Sequence, residues 1–125
     1  MSETQAIADV LARFDSLPAV EAESMIGSWS GEIVPTGHRG ERALAGLRWA
    51  GKDFHDADDV DPIVVFGEDG GREPSGVMGS AQLRMVAYRG VVRATMIYDD
   101  NTVIDHFRRV DETTVLGLMD SKGED

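Results

Sequence analysis

With 125 residues, 42% of them hydrophobic and 28% charged, the chain has the length and composition of one globular domain, too short for two independent cores and too apolar for a disordered tail. A net charge of -11 sets it against phosphate backbones and anionic bilayers, so neither nucleic acid nor a membrane is expected as a partner. There is no cysteine, no apolar run of membrane-spanning length and, in "MSETQAIADV", no secretory signal pattern, so the expected location is cytoplasmic.

In chain order, Ile7, Val10, Leu11, Phe14 and Leu17 keep the three-and-four spacing of an amphipathic helix over Thr4 to Leu17, which Pro18 ends or bends. "AVEAESMIG" has room for a second helical turn before Gly27, and "SGEIVP" then reads as a strand ending at Pro35. "RGERALAGLRW" carries helix formers at Leu44 and Leu47, but Gly46 and Gly51 limit it to a short helix or a loop. "DPIVVFG" reads as a buried strand and "EDGGREPSG" as turn and loop.

The last third is a succession of strand-like runs, "SAQLRMVAY", "VVRATMIYD", "TVIDHFRRV" and "TTVLGLMD". The short turns "RG", "DN" and "DE" separate them, so a four-stranded antiparallel meander is predicted. Alternation puts Leu83, Met85, Ala87, Val92, Ala94, Met96, Tyr98, Leu116 and Leu118 on one face, with Gln82, Arg84, Arg93 and Thr95 pointing away. The third run mixes apolar and ionisable groups on both faces, so either Asp105 or His106 should be drawn inside. The chain thus divides, within a single domain spanning 1–125, into a helical segment 1–26, a middle region 27–80 and the meander 81–125.

Four blocks in order carry a family resemblance: Gly27-Ser28-Trp29-Ser30-Gly31; "PTGH" from Pro35; "RWAGKDF" from Arg48 with "DVDP" from Asp59; and "YRGVVRATMIYDDNTVIDHFRRVDETTVLGLMDSKG" from Tyr88. On these the chain resembles the uncharacterised, mostly bacterial proteins named for a GXWXG motif followed by a companion C-terminal domain of unknown function. The resemblance covers nearly everything from Phe14 onward, and it implies a class without implying a reaction. Locally, the motif is also similar to the opening-strand signature of calycin barrels such as lipocalins, fatty-acid-binding proteins and nitrobindin haem proteins. In calycins the equivalent tryptophan packs under an arginine, and that likeness makes Arg93, Arg108 and Arg109 the candidates here.

The expected fold is therefore mainly β, a calycin-like antiparallel β-barrel or half-barrel of six to eight strands with an N-terminal helix packed on it. The alternative is an α+β cone-like fold with the helices in the concavity of the sheet. An open barrel would leave edge strands, and pairing through one of them or through the helix could give a homodimer.

The leading functional expectation is a non-enzymatic binding protein for a small, largely apolar ligand such as a fatty-acid-like carboxylate. Met85, Met96, Tyr98, Phe107 and Leu118 would line its interior, Trp29 would close one end, and Trp49 would lie beside the ligand. Ionisable contacts could come from His38 and Arg39 in "PTGHRG", from Lys52 between the aromatics Trp49 and Phe54, or from His106. A competing expectation is an acid-base enzyme using His106 with Asp105, or Lys52. A third is haem held by His106, the one cofactor considered.

His38, His55 and His106 show no metal-ligand spacing, so no metal site is expected. "DFHDADDVD" fails the calcium-loop pattern, since Asp61 and Gly67 stand where Gly and Glu are needed, and it reads as a solvated acidic loop. Nucleophile-elbow and phosphate-loop signatures are absent from the sequence.

Overall fold

The structure is a computed structural model that describes residues 3–34 and 46–121. The N-terminal helix α1 (Glu3–Ser16) and a single turn α2 (Ala22–Met25) precede the strands β1 (Gly27–Ser30), β2 (Trp49–Asp56), β3 (Asp59–Phe66) and β4 (Arg72–Pro74). A 3-10 turn at Gly76–Met78 then leads into β5 (Ala81–Tyr88), β6 (Val91–Tyr98), β7 (Val103–Arg109) and β8 (Val115–Ser121). All eight strands join one antiparallel sheet in the order β1-β2-β3-β5-β6-β7-β8, with β4 paired to β3. Among the described residues no helix is long and apolar enough to cross a membrane.

The sheet is curled into a half-barrel whose edges are β1 and β8. Two contacts across the concave side show how far it rolls. Lys52 Nζ on β2 lies 3.3 Å from Asp105 Oδ2 on β7, and the rings of Phe54 and Phe107 meet edge to face at 6.0 Å, although β3, β5 and β6 separate the two strands within the sheet. Phe54, Leu83, Ala94, Met96, Tyr98 and Phe107 form the concave-side core together with Val20 and Met25. Gly117, opposite Phe107 on β8, gives the Phe107 ring its room, since a Cβ there would lie 3.1 Å from the ring edge.

The other face of β5 to β8 lies beneath α1. Phe14, fully buried, meets Tyr88 edge to face at 6.3 Å and sits 4.7 Å from the Arg108 guanidinium and 5.8 Å from that of Arg93. Both arginines are buried without a carboxylate partner among the described residues, and they turn instead to backbone carbonyls. Arg93 donates to Val86 O and Tyr88 O, while Arg108 donates to Leu17 O at 2.8 Å and to Asp15 O at 3.3 Å. Arg108 thus satisfies carbonyls that a helix C-terminus leaves unpaired and places a cation at its negative end.

The chain reaches both faces by passing between two strands. β6 and β7 pair only where Thr95–Ile97 oppose Ile104–His106. Beyond that point they part, and Pro18–Val20 fills the gap: Arg109 N donates to Pro18 O, Ala94 N donates to Val20 O, and Ala19 bridges Arg108. Pro18 suits this path because a residue without an N–H ends the helix, while its carbonyl is free to accept from β7.

Several expectations shift. The first strand is Gly27–Ser30, earlier than "SGEIVP" suggested, because Gly27 to Ser30 pair with Phe54 to Gly51 whereas residues 31–34 have no regular partner. The acidic stretch "DFHDADDVD" is mostly strand: Asp56 to Asp59 form the hairpin turn between β2 and β3, and the exposed carboxylates project from a paired ribbon. Leu116 and Leu118 oppose Arg108 and His106, so they belong to the α1 side rather than to the concave face. Arg93 and Thr95 do point away from that face as expected, but into a second buried layer rather than into water. Asp105 and His106 are both drawn inside, at 8% and 1% exposure, on opposite faces of β7. The segment "RGERALAG" lies largely outside the described residues.

Candidate functional site

The glycine-tryptophan motif is built around a second indole. Gly27 takes φ +132°, a backbone state that side chains with a Cβ rarely adopt, and it begins the strand that carries Trp29. Gly31 instead makes space: a Cβ there would come within 2.5 Å of the Trp49 ring. Gly51 does both, with φ +150° and its α-carbon so close to the Trp29 carbonyl that no side chain fits. The two indoles are fixed by their N–H groups, Trp29 Nε1 donating to Met25 O at 2.8 Å and Trp49 Nε1 to Gly51 O at 3.0 Å. Behind this corner Arg72 of β4 donates to Asp53 Oδ1 at 2.7 Å and to the carbonyls of Trp29 and Ala50, tying β1 to β2 from the outer side.

Lys52 follows on the concave side. Register pairs it with Trp29, and its ammonium lies 5.6 Å from the Trp49 ring centre while donating to Pro62 O at 3.0 Å and pairing with Asp105. Asp105 stands beside Met96 on β6 and Met119 on β8. Tyr98, also on the concave side, is 6% exposed, and its hydroxyl makes no hydrogen bond among the described residues. Burial, reinforced by the Asp105 carboxylate, pushes the Tyr98 phenol far above its usual range, so it remains a donor at any physiological pH.

These groups border a connected open space of about 1460 Å³. On the concave side Trp29, Trp49, Phe54, Phe107 and Met119 line it, with the buried Asp105 and Tyr98 and the partly buried Lys52 as its polar members. The space continues around the β8 edge to Ile7, Val10 and Leu11 of α1. Deeper in the curl the interior is filled, since Leu83, Ala94 and Met96 are essentially fully buried. The opening is therefore a cleft along the β1 and β8 side of the half-barrel, not a hollow centre. Trp29 is a half-buried wall of that cleft rather than a floor beneath a vacant middle.

Of the residues singled out in the sequence, the fold brings Trp29, Trp49, Lys52, Tyr98 and Phe107 to the cleft, with Met96 buried beside Asp105 on the neighbouring strand. Met85 shares the concave face but stands 38% exposed and does not border the cleft. His38 and Arg39 lie outside the described residues. None of the three arginines expected over Trp29 lies there: Arg93 and Arg108 pack on Phe14, and Arg93 also on Tyr88 at 5.1 Å, both on the α1 side, while Arg109 donates to Asp111 O and Glu112 O.

His106 lies on that same side, stacked on Tyr88 with ring centres 3.8 Å apart and planes within 4°. Its Nδ1 is 3.2 Å from Thr95 Oγ1 and its Nε2 is 3.4 Å from Asp120 Oδ2. Burial, with Arg93 adding to it, holds the imidazole below its usual pKa against the opposing pull of Asp120. Sealed from the cleft with both nitrogens engaged, His106 has no position left for a haem iron, and the residues around it do not fit that group. Among the described residues, the one grouping with the spacing of metal ligands is His55, Asp59 and Asp61 on the outer ribbon, where His55 Nε2 is 2.8 Å from Asp61 Oδ2.

Phe54, Asp105 and Met119 are the site residues that strand patterning alone does not single out for the cleft. Only the curl places β2 opposite β7, and no local signal reports it.

Residues 12–70 match the family described as GXWXG protein, and residues 79–125 match a Domain of unknown function (DUF4334). A crystal structure of a protein from Thermomonospora curvata is 38% identical in sequence, aligns over 99% of this chain and 92% of its own, and superposes with a TM-score of 0.85. No curated protein matches the chain.

Proposed function

The chain belongs to the GXWXG protein family, joined to its domain of unknown function, and on that premise we propose that it is a non-enzymatic binding protein for a small, largely apolar molecule. One observation carries this reading: a cleft walled by two indoles and by Phe54, Phe107 and Met119, with a small buried set of polar groups at one place on its wall. Ligand sites have this composition in general, apolar surface supplying affinity and a few placed polar groups supplying orientation. Two glycines support it further, because Gly31 leaves room for the Trp49 ring and Gly51 lets the Trp29 backbone approach closely.

The acid-base alternative draws less support. His106 faces α1 with both nitrogens occupied, and Lys52 and Asp105 neutralise each other instead of standing ready for proton transfer.

The test is titration with the uncharged fluorescent probe N-phenyl-1-naphthylamine. Saturable binding to the native protein is expected. It should be weakened about tenfold or more by Met119→Arg, which sets a charge beside Asp105 on a half-exposed edge position without emptying the core. Absence of saturable binding, or binding that Met119→Arg leaves unchanged, would remove the proposal.

A further inference from the structure

Resting on that reading of the cleft, we infer that the ligand presents an uncharged oxygen to Tyr98, either a carbonyl or a hydroxyl that also donates to Asp105, and that a carboxylate is discriminated against. The sequence suggests a fatty-acid-like carboxylate, with Lys52 as one of four candidate ionisable contacts beside His38, Arg39 and His106. The geometry leaves Lys52 little to offer such a group. Its ammonium is already paired with Asp105 at 3.3 Å and donates to Pro62 O, and both side chains of the pair are nearly buried, at 15% and 12% exposure. The pair is neutral as a unit. A second carboxylate arriving there would put two anions against one cation in a poorly solvated place, where like charges repel strongly and neither can recover its hydration.

What stays open is a donor and an acceptor. Among the described residues the Tyr98 hydroxyl has no partner and the Asp105 carboxylate makes no bond beyond its pairing with Lys52, so one of its oxygens has no donor there. Both residues are nearly buried, at 6% and 8% exposure, so a ligand oxygen that bonds to them has little water to displace. A ligand carbonyl oxygen can accept from Tyr98, and a ligand hydroxyl can accept from Tyr98 while donating to Asp105, with no change in the charge balance. Trp29 and Trp49 hold their own N–H groups on backbone carbonyls, so they provide apolar walls and do not compete for the oxygen. A site whose unpaired polar groups match a neutral oxygen favours molecules that carry one over analogues that do not.

The experiment is displacement of N-phenyl-1-naphthylamine by three ligands of equal chain length, 1-decanol, 2-decanone and decanoate, at a pH where decanoate is ionised. Decanol and decanone should compete at least about tenfold better than decanoate. Decanoate is also the least apolar of the three, so two variants separate charge from partitioning. Asp105→Asn frees the Lys52 charge and should shift the ratio toward decanoate by about tenfold or more. Tyr98→Phe should weaken decanol and decanone about five- to tenfold relative to any change in the affinity of the probe, as expected for one lost hydrogen bond.

A preference for decanoate in the native protein, an unshifted ratio in Asp105→Asn, or unchanged decanol binding in Tyr98→Phe would each overturn the inference while leaving the binding reading intact. Should Asp105→Asn fail to fold, Tyr98→Phe decides alone. Probe binding with no competition from any of the three also overturns it, whereas failure of the probe to bind at all counts against the binding reading itself.

Discussion

The Trp49 indole occupies the volume that a side chain on Gly31 would need. A Cβ added to Gly31 would stand 2.5 Å from the ring, closer than any real contact. The second glycine of the motif therefore belongs to Trp49, eighteen positions further on, as much as to Trp29. Gly31→Ala should destabilise the protein by about 1–3 kcal/mol, the usual cost of overpacking. Combined with Trp49→Leu, which vacates the space, the two losses should sum to more than the double variant shows in urea unfolding. Strict additivity would mean that the two residues do not meet.

The ion pair between Lys52 and Asp105 closes the curl between β2 and β7. Lys52→Met leaves a nearly buried carboxylate unpaired, with an expected cost of about 3–5 kcal/mol where burial is complete and less for what exposure remains. Replacing both partners, as in Lys52→Met with Asp105→Leu, should recover most of that loss, since the unpaired charge is gone. A double variant less stable than Lys52→Met alone would show that the pair contributes net stability of its own.

Phe14 and Arg108 together fasten α1 to the sheet. Phe14→Ala removes a fully buried ring lying between two guanidinium groups, and a loss of about 3–5 kcal/mol is expected. Arg108→Met keeps the bulk but strips Leu17 O and Asp15 O of their donor, at a cost of about 1.5–3 kcal/mol for hydrogen bonds from a charged group. Hydrogen exchange should report the second change as faster opening of α1, with β2 and β3 unaffected. Uniform acceleration throughout would place Arg108 in the global core instead.

His106 should make stability fall on acidification. Burial depresses its folded pKa below the ordinary value of about 6.5, so between those two values the unfolded chain binds the extra proton. Its contribution is complete above about pH 6.5 and is lost as pH drops through the folded value. His55 acts in the opposite sense: its hydrogen bond to Asp61 raises its pKa, and its contribution is lost as pH rises through the folded value. The difference between the native protein and His106→Gln cancels His55 and isolates the first effect. That difference should shrink between about pH 7.5 and pH 5; a constant difference would show that His106 does not titrate differently on folding.

The meander was legible because each strand alternates and each turn is short. Arg89 and Gly90, for instance, both at positive φ, make the tight two-residue turn that "RG" between apolar runs suggests. The parity of Leu83, Met85, Ala94 and Met96 followed from the same period and agrees with the register. Leu116 and Leu118 escaped because the face of an edge strand depends on its register with β7, which apolar residues at Val115, Leu116, Leu118 and Met119 leave ambiguous. The buried layer of Arg93, His106 and Arg108 was unreadable for a different reason. Charged residues on alternate strand positions usually mean water, and only the position of α1, fixed by Pro18–Val20 passing between β6 and β7, turns that face into an interior. Lys52 drew attention in the sequence as a lysine between aromatics, but its partner Asp105 lies on a strand that only the curl brings near.

The most direct measurement uses the two tryptophans of the chain, whose indole N–H groups give two isolated signals in a nitrogen-15 NMR spectrum. Both rings border the cleft, and both N–H groups are anchored on backbone carbonyls. Titration with 1-decanol should move both indole signals along one saturable curve while the His106 signals on the α1 side stay in place. If both indole signals hold still at saturating decanol, or the changes gather on the α1 face instead, the cleft between Trp29 and Trp49 is not where this protein takes a ligand.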